Sequence, residues 1–99
     1  METRLELSVE RHDGTAVVIA AGEVDFETSP NLRECLDAVA SPMVVIDLQA
    51  VSFLDSSGVG VLIAAQNRLS GTGNLSLRNP QGSVRTTLEI LGLVGWIED

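Results

Sequence analysis

The sequence predicts a small α/β domain, with one mixed sheet of four to five strands and helices packed mainly on one face. The order of the segments carries most of this. Stretches with the character of strands are interleaved with stretches of helical period, giving strand, strand, helix, strand, helix, strand, helix. Composition agrees: hydrophobic residues make up 44 % and charged residues 20 % of 99 residues, the balance of a globular chain, and two halves of that length would each bury too little core. Right-handed crossovers would put the helices on one side of the sheet or share them between its faces; the first and fourth strand segments alternate apolar with polar residues, which favours one exposed face and helices mainly on the other.

Each element has its own signal. Leu5, Leu7 and Val9 alternate with Glu6, Ser8 and Glu10, the period of a half-buried strand. His12, Asp13 and Gly14 supply a turn, and the run from Ala16 to Gly22 is apolar on both faces, as an inner strand folded back on the first would be. In TSPN, Ser29 can accept a hydrogen bond from a first-turn amide and Pro30 suits the first helical position. A helix is expected there, with Leu32, Cys35, Leu36 and Val39 on one face and a stop at Ser41 and Pro42. Met43 to Leu48 is a continuous apolar strand broken only by Asp47, which places it at the centre of the sheet. A short connection containing DSSG leads to a second helix from Val59 to Ser70, with Val59, Leu62, Ile63 and Leu69 near one stripe and a glycine stop in GTG at 71–73. Asn74 to Arg78 alternates through Leu75 and Leu77 as a fourth strand. Asn79 and Pro80 repeat the cap-and-proline signal before a third helix bearing Val84, Leu88 and Leu91, closed by Gly92. Trp96 and Ile97 form a terminal apolar pair.

Charge and motifs exclude several function classes. The formal charge is −8 and all six basic residues are scattered arginines, so no patch invites a phosphate backbone and nucleic acid is not expected as a partner. The longest apolar runs fall far short of the roughly 20 residues that cross a bilayer. Acids and arginines occupy the first residues where a secretion signal needs an apolar core, so a cytoplasmic location is expected, away from membranes. Cys35 is the lone cysteine, which rules out an internal disulfide and reads as core filler. Asp25, Asp47 and Asp55 lack the spacing of a metal loop, and the absence of lysine removes a phosphate-cradling loop; neither a metal nor another cofactor is expected.

The DSSG element, Asp55 to Gly58, follows the central strand and opens the second helix. The first amides of a helix lack internal partners and carry partial positive charge, so a hydroxyl or an anion there is stabilised by about 0.3–1 kcal/mol. One reading is a simple cap made by Asp55, Ser56 or Ser57. A serine nucleophile is disfavoured: no glycine stands two residues before either serine, and His12, the single histidine, lies in a remote turn. The remaining chemical reading is a serine that another protein modifies. Phosphorylation at a helix mouth adds about −1.5 to −2 charges where amides tolerate them, while a partner packed over that mouth meets a hydrated dianion beside Asp55.

GEVD at 22–25, VVIDLQAVSFLDSSGVGVL at 44–62 and LEILGLVGWI at 88–97 together resemble the STAS domain of anti-sigma factor antagonists. The resemblance implies a STAS-like fold and a non-enzymatic protein that binds an anti-sigma factor, itself a serine kinase, and so frees a sigma factor. It implies that Ser56 is the phosphorylated residue, that a serine phosphatase reverses the modification, and that Glu23, Asp25, Asp55, Ser56, Ser57 and Gly58 contribute to the contact surface. Family members commonly continue beyond the final G-L segment into a further helix. The same domain also serves as a non-switching scaffold, for example in lipid transport machinery; the presence of Ser56 favours the switch.

Overall fold

The computed structural model describes residues 4–98. β1 (Leu5–His12) turns through Asp13 and Gly14, both at positive φ, into β2 (Thr15–Val24). The pair is antiparallel, from Leu5 opposite Gly22 to His12 opposite Thr15. Next come α1 (Ser29–Ala38), β3 (Met43–Leu54), α2 (Ser56–Leu69), β4 (Asn74–Arg78), α3 (Gly82–Ile90) and a 3₁₀ turn at Val94–Trp96. The sheet has four strands in the order β1, β2, β3, β4, with β3 parallel to both of its neighbours. Among the described residues the count is four, within the expected four to five, and Ile97 adds an isolated bridge to Leu77 outside β4.

Both crossovers step the same way across the sheet, so right-handed connections put α1 and α2 on one face. The buried side chains agree. Val18, Ala20, Val44, Ile46, Leu75 and Leu77 from the strands form one apolar cluster with Leu32 and Leu36 of α1, Leu62 of α2, and Val84 and Leu88 of α3. The other face is polar along β1, where Glu6, Ser8 and Glu10 are exposed, and along β4, where Arg78 pairs with Glu98 at 2.8 Å.

Several boundaries differ from the expectation, each for a local reason. β3 runs to Leu54 and does not stop at Leu48. Two register shifts explain this: Ile19 pairs with Asp47 but Ala21 with Ala50, and Gly22 pairs with Val51 but Glu23 with Phe53. Each shift inserts one extra residue in β3, so its buried positions move from alternation to Leu48, Val51 and Leu54, and the two-residue period disappears. α2 begins at Ser56, not Val59, and the serines lie in its first turn. Ile63 leaves the expected stripe at 40 % exposure, while Val61 and Ala65 are buried in its place.

α1 starts one residue early, with Thr28 as its cap residue; Ser29 is the first helical residue and is buried. The Asn79–Pro80 signal does not cap α3. Asn79 adopts a left-handed φ of 56° that ends β4, a conformation asparagine tolerates, and Gln81 becomes the cap residue. Leu91 falls beyond α3 and is 48 % exposed, and Leu93 takes the buried place.

Candidate functional site

The parallel strands β2 and β3 end together, with Val24 opposite Leu54, and the chain leaves both at the same rim of the sheet. The Asp55 N–H donates to the Val24 carbonyl at 3.1 Å, which ties the turn after β2 to the start of α2. GEVD and DSSG, 30 or more residues apart in the chain, are therefore joined by backbone.

α2 owes its first turn to Asp55. That residue is extended, and its Oδ1 accepts from the Ser57 N–H at 2.9 Å and the Gly58 N–H at 3.2 Å, satisfying two of the orphan amides. The capping task belongs to the aspartate, which leaves both serine hydroxyls free of it. Ser56 is exposed, Ser57 is half-buried and Gly58 is buried. A Cβ on Gly58 would stand 2.5 Å from Leu54 Cδ1 and 2.6 Å from Val24 Cγ1, so a glycine is what lets α2 settle onto the paired strand ends. Gly58 thus supports the rim from beneath while Ser56 faces outward.

The turn after β2 is held by its own acids. Asp25 Oδ1 accepts from the backbone N–H groups of Glu27 at 2.9 Å and Thr28 at 3.0 Å. The buried Thr28 hydroxyl donates to the Glu23 carbonyl at 2.7 Å and accepts from the Asp25 N–H at 2.9 Å. Arg4 lies across the outside of this turn, paired with Asp25, with Glu23 at 3.1 Å and with Glu27 at 3.5 Å. Arg4 is brought there by backbone: its carbonyl accepts from the Glu23 N–H at 2.8 Å and would collide with any Cβ at position 22, where Gly22 has φ 122°. Glu23 is exposed and Asp25 half-buried, so of the two acids Asp25 is the more deeply built into the turn.

Beside α2 the rim opens into a depression of about 600 Å³ between α1 and α2, lined by Phe26, Glu27, Pro30, Arg33, Ser57 and Val61 among others. Phe26 projects into solvent at 79 % exposure. Sequence reasoning did not single out Arg4, Phe26, Thr28 or Arg33. Phe26 carried a signal, as an aromatic residue inside an acidic turn; Arg33 carried none, since its position opposite α2 depends on helix packing.

Other candidates lie apart from the rim. His12 ends β1 and is exposed, with Glu10 at 3.6 Å. Cys35 packs against the core, where burial pushes its thiol pKa up, away from a reactive thiolate. Among the described residues, no group of three His, Cys, Asp or Glu side chains could hold a metal, and no helix is long and apolar enough to cross a membrane.

The mixed four-stranded sheet with its helices on one face is the small α/β architecture expected of a STAS domain, and a sequence model of the STAS domain matches residues 6–98: the chain belongs to this family. Among its relatives, the anti-sigma-F factor antagonist RsfB of Mycobacterium tuberculosis is 29 % identical, across 90 % of this chain and 75 % of its own length. The crystal structure of an anti-sigma factor antagonist from Mycobacterium paratuberculosis superposes with a TM-score of 0.84 at 34 % identity, covering 94 % of this chain and 82 % of that one. The anti-sigma factor antagonist SpoIIAA in its unphosphorylated form gives a TM-score of 0.83 at 27 % identity over 95 % and 87 % of the two chains. In its phosphorylated form, described as a Bacillus cell fate determinant, the figures are 0.76 and 26 % over 95 % and 90 %.

Proposed function

We propose that this protein is an anti-sigma factor antagonist, a cytoplasmic binding module whose partner is a serine-kinase anti-sigma factor. Phosphorylation of Ser56 ends that association and a serine phosphatase restores it. The observation that carries the reading is the exposed Ser56, in the first turn of α2 on the rim that also bears Glu23 and Asp25. Relatives and structural neighbours named as antagonists support it, as does the existence of a neighbour in phosphorylated and unphosphorylated forms.

The chemistry follows from the helix mouth. Asp55 already holds the amides of Ser57 and Gly58, so a phosphate on Ser56 adds charge without dismantling the cap. Glu23, Asp55, Ser56 and Ser57 then form the contact surface, Asp25 shapes it and Gly58 sets its height. A partner that packs over Ser56 must displace the hydration of a dianion next to a carboxylate, and each 1.4 kcal/mol of that cost is about tenfold in affinity.

The test begins with a pull-down from native extract to identify the histidine-kinase-like ATP-binding partner. With that purified partner and ATP, the protein should gain one phosphate by intact mass and Ser56→Ala should gain none. Ser56→Asp should bind at least about tenfold more weakly by calorimetry. Binding by Ser56→Asp as tight as the parent's would overturn the switch, and copurification of a transporter ATPase in its place would favour a scaffold.

A further inference from the structure

Resting on the antagonist reading above, we propose that the depression between α1 and α2 is a specificity subsite. It takes an apolar side chain flanked by a carboxylate from the anti-sigma kinase. Its walls supply both halves of that description. Phe26, at 79 % exposure, stands with Pro30 and Val61 around a space of about 600 Å³ that opens next to Ser57. A rigid ring held in water beside a concavity is the kind of residue that dominates protein interfaces when it is covered.

The charge selects the second half. The protein carries −8 overall, and Arg4, Arg68, Arg78 and Arg85 each pair with a carboxylate. Arg33 is exposed on the wall of the depression and, among the described residues, has no carboxylate within 4.0 Å. Glu27, the acid on the same wall, lies 3.5 Å from Arg4, a cation it shares with Glu23 and Asp25, and no contact within 4.0 Å joins it to Arg33. Arg33 is therefore an unpaired cation on an acidic molecule, and the group that complements it is an anion seated on the α1 side of the depression. A carboxylate seated beside Ser57 also feels a phosphate on Ser56 as a like charge, which gives the switch a repulsive component in addition to bulk.

Arg11 supplies the control. It too has no carboxylate partner among the described residues, but it sits on β1 opposite Ala16, at the far end of the sheet from the pair Val24 and Leu54. Arg33→Glu and Arg11→Glu change the net charge equally. Arg33 is exposed and glutamate is a good helix former, so Arg33→Glu should fold, with thermal unfolding as the check. Binding of each variant to the purified kinase identified by the parent protein is measured by calorimetry at two salt concentrations.

The expected result is that Arg33→Glu binds at least about tenfold more weakly, Phe26→Ala likewise, and Arg11→Glu within about twofold of the parent. Reversing one carboxylate of the kinase to lysine should restore binding to Arg33→Glu and not to Phe26→Ala. If Arg33→Glu binds within about twofold of a parent that does bind the kinase, the subsite is overturned and the antagonist reading stands. If the parent binds no anti-sigma kinase, the reading itself fails and the subsite with it.

Discussion

Gly58 shows how closely the site depends on single atoms. Its missing Cβ is the space into which Val24 Cγ1 and Leu54 Cδ1 fit, so Gly58→Ala must either lift the first turn of α2 or shift the two strand ends. Overpacking of this kind costs about 1–3 kcal/mol. Thermal unfolding of Gly58→Ala should show that loss, and an unchanged melting temperature would mean that α2 does not rest on the strands as described. The residues of DSSG could be recognised from sequence because an acid, two hydroxyls and a glycine after an apolar run leave few structural uses. How the roles divide among them could not: that Asp55 caps, Ser56 is presented and Gly58 is buried depends on φ and ψ at Asp55 and on the strand ends below.

At the scale of elements, the turn from β2 into α1 is held by a side chain where regular backbone bonding lapses. The Thr28 hydroxyl bridges Glu23 and Asp25, and Asp25 returns two bonds to the amides of residues 27 and 28. Thr28→Val keeps the shape and leaves the Asp25 N–H and the Glu23 carbonyl without that partner, for a loss of about 1–3 kcal/mol. Urea denaturation should resolve the change, and a stability equal to the parent's would show that water replaces the hydroxyl at no cost. The helices were legible because their buried residues recur at spacings of three and four. β3 was legible only to Leu48, since two inserted residues shift the inward positions out of alternation. The start of α3 was misread because Asn-Pro resembles a cap, whereas Asn79 uses its tolerance of positive φ to end a strand. The depression that holds Phe26 and Arg33 was not legible, because its walls come from α1 and α2 and meet only after both have packed on the sheet.

For the whole molecule, the sheet order makes β2 and β3 the inner strands and leaves β1 and β4 at the edges. Ala16, Val18, Ala20, Val44 and Ile46 on the inner strands are essentially inaccessible, and their amides can open only with the whole core. Hydrogen exchange should therefore be slowest in β2 and β3 and close to the global unfolding limit, with α3 and the segment carrying Ile90 and Val94 exchanging sooner. Protection of that segment equal to β3 would contradict this ranking. The rim sits at the ends of the two inner strands, so under the proposed function a partner or a phosphate would meet a ledge anchored in the core.

Arg4 gives the ledge a practical vulnerability. Its guanidinium clasps the three acids of the turn after β2, and its carbonyl is bonded to Glu23. An affinity tag or fluorescent fusion attached immediately ahead of Arg4 would crowd Glu23, Asp25 and Glu27, and with them the surface proposed above for the partner. Glu98, by contrast, is tied to Leu77 and Arg78 at the outer edge strand, and β3 continues seven residues past the position that pairs with Arg78. A label placed after it is the sounder design.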